Sequence, residues 1–197
     1  MREYETAEAL AARALDLCEK HQFPNDAAAS RCLLGHARAE LGLAADGVAL
    51  IRQGIEAMVQ IGSRVAIPGN ITWQAAAQLR TGAIGDALET IEHALNFNPE
   101  EVVYRPETLQ IRGELRLKQG NVQLAETDFR DSISLARRMG AKAWELRTAT
   151  SLARLLDSEG RRDEARTLLS KIYQWFTEGL DTADLKDARA LLDELSD

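Results

Sequence analysis

An excess of positive charge is missing from this 197-residue chain: 24 Lys and Arg stand against 31 Asp and Glu, a formal charge of −7. Neutralising phosphates takes a basic stripe, and none is present, so nucleic acid is not an expected partner. No apolar run approaches the ~18 residues needed to span a bilayer, and the opening MREYETAEAL lacks the apolar core of a secretory signal. A membrane is therefore not an expected partner either. Two cysteines, Cys18 and Cys32, are too few for a disulfide framework, which makes a reducing cytoplasm the expected compartment. Strand-like alternation is absent.

Reactive motifs are missing as well. A phosphate-binding loop needs G-x-x-x-x-G-K-[ST], so that backbone donors and a lysine converge on phosphates. The segment from Gly42 to Gly47 has the two-glycine spacing but continues Val48-Ala49 and reads as a turn between helices. The histidines, His21, His36 and His93, form no H-E-x-x-H. Cys18, His21, Cys32 and His36 come nearest to the four ligands of structural zinc. Buried thiols and exposed imidazoles account for them more simply. No converging nucleophile, base or acid is visible, and no catalytic residue, metal or cofactor is expected.

What the chain does have is periodicity. Gly42, Gly82, Gly120 and Gly160 recur at intervals of 40, 38 and 40 residues. Seven positions before each stands Gly35, Ala75, Gly113 or Ala153; five after stands Gly47, Ala87, Ala125 or Ala165; nine after stands Ile51, Ile91, Phe129 or Leu169. Self-similarity at this period marks a solenoid. Apolar residues between the markers follow helical spacing, as in Ile84, Leu88, Ile91 and Leu95. The expected helix pairs are 26–61, 68–97, 105–138 and 142–177, each an antiparallel hairpin with a marker glycine in its turn. Pro68 and Pro106 fall in expected first helical turns, where a missing N–H costs nothing. Small residues at the minus-seven and plus-five positions let two helices approach closely, with the larger plus-nine residue beside them. One period before Gly42 stands Arg2, so residues 3–21 read as the second helix of a half repeat. Residues 182–196 read as an amphipathic terminal cap. The whole chain, 1–197, is expected to be one helical-repeat domain.

The marker pattern resembles that of tetratricopeptide repeats, most clearly in Gly113, Ala125 and Phe129. The period exceeds the usual ~34 residues, as if each hairpin were lengthened by about one turn. The fold class implied is all-α: an α-solenoid of about four tetratricopeptide-like helix hairpins plus the leading half repeat and the cap. A narrower resemblance rests on KHQFP (20–24), IRGELRLKQG (111–120), GAKAWELRTATSLARLL (140–156) and WFTEGLDTADLKDARALLDEL (175–195). These are similar to the C-terminal helical region of bacterial signalling proteins carrying class III adenylate or guanylate cyclase domains, regulatory ATPase domains, or both. That resemblance implies a cytoplasmic region that senses or scaffolds for a catalytic unit, although neither of those domains is in this chain.

The expected site is the concave face lined by first helices. Mapped by the glycine register, it takes Cys32, His36 and Glu40 from the first pair and Thr72, Leu79 and Arg80 from the second. The third pair adds Glu107, Gln110, Glu114 and Lys118, and the fourth Arg147, Thr150, Arg154 and Asp157. Long polar side chains on rigid helices can hydrogen-bond an extended peptide or clamp a carboxylate. Arg147 and Arg154, two turns apart, could act together or be ion-paired to Glu107 and Glu114. The expected partner is a protein or peptide, with self-association through residues 3–21 as a further possibility. Trp73, Trp144 and Trp175 read as packing residues between helices. Tyr173, Trp175 and Phe176 read as the cover of the junction to the last helix.

Overall fold

The computed structural model describes residues 4–64 and 66–196. Among these residues it has ten α-helices and no strand: α1 Tyr4–Lys20, α2 Pro24–Glu40, α3 Ala44–Gln60, α4 Ile67–Thr81, α5 Ile84–Phe97, α6 Arg105–Lys118, α7 Val122–Met139, α8 Lys142–Ser158, α9 Arg162–Tyr173 and α10 Ala183–Glu194. The helix pairs fall where periodicity places them, except that α9 ends at Tyr173 rather than near 177. The backward marker at Arg2 lies outside the described residues.

The marker glycines do close helices. Gly82 has φ +81° at the end of α4, and the amide of the next residue, Ala83, donates to the carbonyl of Gln78. This 6→1 bond is the Schellman closure, and it satisfies a carbonyl the helix end would otherwise orphan. The same bond recurs after α1, α2, α3, α6, α7 and α8, from Phe23 to Cys18, Leu43 to Arg38, Ser63 to Met58, Asn121 to Arg116, Ala141 to Ala136 and Arg161 to Leu156. Turns within hairpins and turns between them thus share one motif at seven of the nine joints, those after α5 and α9 being built differently. The closing residues with positive φ are 22, 42, 62 and 82, then 120, 140 and 160. Within each run the step is 20 residues, so two steps make the 40-residue period, and the interval between the runs is 38.

One closing position is not glycine. Gln22 holds φ +60° and is exposed. A left-handed backbone costs an ordinary residue ~1–2 kcal/mol, against ~0.5–1 kcal/mol of extra chain entropy for glycine. Gln22→Gly therefore raises stability by about 0.5–1 kcal/mol. Chemical denaturation reads this directly, and a midpoint equal to or below the parent's contradicts it.

Second helices bury a narrow stripe. Gly47, Ile51 and Gly54 on α3, Ala87, Ile91 and Ala94 on α5, Ala125, Phe129 and Ser132 on α7, and Ala165, Leu169 and Ile172 on α9 occupy the same register. The small residue lets the backbones meet and the large one fills the adjoining groove. All four plus-nine residues are fully buried. First helices are enclosed on more sides. On α8, nine residues are buried, among them Leu146, Thr150, Leu152 and Leu156.

The chain divides into two compact units, one ending at Tyr104 and one beginning at Arg105. In the first, α2 lies between α1 and α3, α3 packs on α4, α4 on α5, and α2 runs beside α4. In the second, α6 packs on α7, α7 on α8 and α8 on α9, while α10 closes against α8 and α9; α6 also runs beside α8. No described helix is long and apolar enough to cross a membrane.

Candidate partner-binding face

In each unit, first helices of successive hairpins lie side by side, and this layer carries the residues singled out by register. In the first unit an aromatic row crosses it. The imidazole of His36 on α2 stacks on Trp73 of α4 at 4.5 Å between centroids and 13° between planes. Tyr4 of α1 meets His36 edge-on at 5.9 Å. Further along the same two first helices, Glu40 and Arg80 occupy one register position in adjacent hairpins and form an ion pair at 2.6 Å. His36 and Arg80 are thus brought to one face, but as links between helices.

The structure corrects the expectation for Thr72 and Thr150. Both are buried, and each hydroxyl donates to the carbonyl four residues back in its own helix, that of Pro68 and that of Leu146. They share one register position, ten before the marker glycine. Cys32 holds the same position in the first hairpin and is also buried, its thiol donating to the Ile51 carbonyl at 3.6 Å. Neighbouring helices cover this position, so none of the three is presented to a partner. Burial pushes the Cys32 thiol up to about 12, leaving it protonated. With His36 turned to Trp73 and His21 stacked on Phe23, the four nearest zinc-type residues do not converge, and among the described residues no metal-binding cluster occurs.

In the second unit the face is a polar ladder. Gln110 donates to Glu114 at 3.2 Å, and Ser151 of α8 donates to the same carboxylate oxygen at 3.2 Å. Arg147 donates to Asp184 at 2.9 Å and Arg154 to Asp187 at 2.6 Å. The arginine partners are therefore on α10 and not Glu107 or Glu114, because the cap continues the layer of first helices. Lys118 is exposed at the end of α6. This face thus brings together Gln110, Glu114, Arg147 and Arg154.

Charged groups elsewhere in the second unit are structural. Glu126 and Glu164 are each bound by both Arg130 and Arg161, a closed ring linking α7 to the start of α9. Hydrogen bonds from Arg161 hold the Glu126 carboxyl below the usual range, and those from Arg130 do the same for Glu164. The charged turn leading into α9 is therefore tied to α7 through Arg161 and Glu164. Burial pushes the Glu145 carboxyl up, but hydrogen bonds from Lys142 and Arg137 outweigh it and leave it lowered. Sequence reasoning missed Asp128 altogether. It is buried on α7 and accepts from Arg112 and Arg116 of α6; the signal was a pair of arginines four apart, with an acidic residue on the following helix.

Trp175 needs a second correction. It is 58% exposed, whereas Tyr173 and Phe176 do pack against the core of this unit. Because α9 ends at Tyr173, Trp175 falls outside the helical register that would have turned it inward.

No known family's sequence profile matches this chain, nor does any curated protein. Solved structures do. BtubC (BKLC) from P. vanneervenii is similar over 100% of this chain and 91% of its own, with 16% identity and a TM-score of 0.72. TTC0263, a thermophilic TPR protein in Thermus thermophilus, is similar over 98% and 90%, with 18% identity and a TM-score of 0.72. A Signal Transduction ATPase with Numerous Domains from Pyrococcus horikoshii, PH0952, which has a tetratricopeptide repeat sensor, is similar over 87% of this chain but 27% of its own, at 16% identity and a TM-score of 0.66. At such identities the likeness speaks for fold alone. That fold is an all-α, tetratricopeptide-like helical solenoid.

Proposed function

We propose that this chain, as one repeat domain over 1–197, is a non-catalytic protein–protein interaction module of a bacterial signalling protein, acting in the cytoplasm. The face of first helices takes a peptide or a partner domain. The observation that carries this reading is the ladder on α6, α8 and α10, where Gln110, Glu114, Arg147 and Arg154 stand on one surface. Rigid helices hold these long side chains at fixed spacing, and ion pairs partly open to solvent can be exchanged for a partner's groups at small cost. Lys118 adds to the polar contacts of this unit, and in the first unit His36 and Arg80 stand on the corresponding face, whereas Thr72 and Thr150 are left out.

Selection of a displayed random-peptide library on the full chain tests this. Binding of the selected peptides is expected to fall at least about tenfold in Arg147→Ala/Arg154→Ala. The Arg154–Asp187 pair is exposed and contributes only ~0–1 kcal/mol. The Arg147–Asp184 pair is part-buried and its loss costs more, so circular dichroism confirms that the variant is folded before binding is compared. Undiminished binding rules this face out.

A second reading has one observation in its favour. Leu10 and Leu17 on α1 are 62% and 44% exposed, on the stripe that also holds Ala7 and Ala14. In this reading the chain is a regulatory or oligomerising part of a nucleotide cyclase or an ATPase-type regulator. The sensor role of the repeats in the P. horikoshii ATPase lends it support. Sedimentation velocity is expected to show a dimer that Leu10→Glu/Leu17→Glu converts to monomer. A monomeric parent removes self-association through α1.

A further inference from the structure

Between α8, α10 and the segment joining α9 to α10 lies an open cleft of about 360 Å³. Its walls are mostly apolar: Leu146 and Ala143 of α8, Leu185 of α10 and the ring of Phe176. The ionisable groups lining it are Arg147, Glu178 and Asp184. Arg147 is held by Asp184, which leaves the Glu178 carboxylate as the uncompensated charge at the rim. Trp175 stands beside the cleft, edge-on to Phe176 at 5.1 Å, with the Lys142 ammonium 5.7 Å from its ring centre. It remains 58% exposed, and Leu180 on the same segment is 48% exposed. Here the exposed indole adjoins an apolar cleft, and aromatic groups beside a pocket are where binding energy concentrates.

We propose that this cleft is the anchor pocket of the partner-binding face, and that it takes one bulky apolar side chain of a peptide whose neighbouring residue is Lys or Arg. The proposal rests on the peptide-binding reading above and names its recognition chemistry. The cleft has room for a large side chain together with part of the backbone that carries it, and its apolar walls favour an aliphatic or aromatic side chain. Trp175 and Leu180 extend the apolar surface past the cavity, over an area that a ligand confined within it would leave wet. A polypeptide fits both, with one side chain in the cavity and its flanking residues over Trp175 and Leu180. Its cation pairs with Glu178, in keeping with the negative charge of the chain.

The same library selection is the test, run on the full chain. Enriched peptides are expected to share a bulky apolar residue next to Lys or Arg, and a synthetic peptide of that sequence should quench indole fluorescence on binding. Trp175→Ala removes an exposed side chain, so the fold is retained, and affinity should drop about tenfold or more. Glu178→Lys should invert the charge preference, with selection on that variant enriching Asp or Glu beside the apolar residue. Peptides that bind equally well to Trp175→Ala and Glu178→Lys while losing affinity for Arg154→Ala, whose side chain does not line the cleft, leave the face intact but overturn the pocket. Absence of any selected peptide overturns both.

Discussion

Asp128→Ala should lower unfolding stability by about 3–5 kcal/mol, the largest single-residue effect expected in the second unit. The carboxylate is 1% exposed and takes a forked bond from Arg112 (Nη2 at 2.7 Å, Nε at 3.1 and 3.2 Å) and a second from Arg116 at 2.7 Å. Removing it leaves two guanidinium groups, 17% and 20% exposed, facing each other across an empty volume. Their attraction to the carboxylate offsets a desolvation cost that the mutation does not remove. The controls follow from that asymmetry. Asp128→Asn keeps the volume but not the charge and should still cost most of the loss. Replacing all three residues by apolar ones of similar size should be near neutral or better, since the whole network is then desolvated at no penalty. Urea titration at neutral pH reads each variant, and an Asp128→Ala midpoint close to the parent's sinks the account.

In the first unit the corresponding site is Gly47. A Cβ there would lie 2.6 Å from the Gly35 carbonyl oxygen and 2.8 Å from the Ala39 Cβ. Gly35 mirrors it, with the Gly47 carbonyl at 2.8 Å, and a Cβ on Gly54 would collide with the Cys32 sulfur and the Ala28 carbonyl. At Gly47 the facing atoms are backbone and the Cβ of Ala39, so no side chain can rotate away. Gly47→Leu must separate the helices and should cost about 3 kcal/mol or more, at or beyond the upper end of ordinary overpacking. Gly113 offers the contrast. Its Cβ would meet the fully buried ring of Phe129 at 2.5 Å, a side chain that can itself be shortened. Gly113→Leu alone should cost ~1–3 kcal/mol, and Phe129→Leu should recover part of that. No second-site change on α2 of that kind should rescue Gly47→Leu. Thermal melts that rank the two glycine variants in the opposite order refute the backbone-contact argument.

Much of this was legible beforehand because the determinants are local. A left-handed turn favours glycine wherever it occurs, and close helix contact selects Gly or Ala at fixed offsets, so the register of Gly42, Gly82, Gly120 and Gly160 located the hairpins. Gly62 and Gly140 do not stand out as a series, since the joint between them, after α5, has no glycine. Gln22 hid the first closure by not being glycine. The candidate face was legible only in part. Offsets place a residue on a helix, but what covers that position is decided by the neighbouring hairpin. That is why Cys32, Thr72 and Thr150 are buried at a register where Gln110 stays half-open. It is also why Arg147 and Arg154 answer to Asp184 and Asp187, on a helix more than thirty residues away. Trp175 was misplaced because helical phase carries no information beyond Tyr173, where α9 stops.

The repeated Schellman closures, at every joint but those after α5 and α9, bear on how such a chain grows. If joints inside and between hairpins are interchangeable, duplication has no privileged cut point: a segment excised between any two joints of like phase ends in the same backbone geometry and rejoins without a new linker. Lengthening by a whole hairpin then preserves which helices face which, whereas gain or loss of a single helix-and-turn swaps the two layers from that point onward.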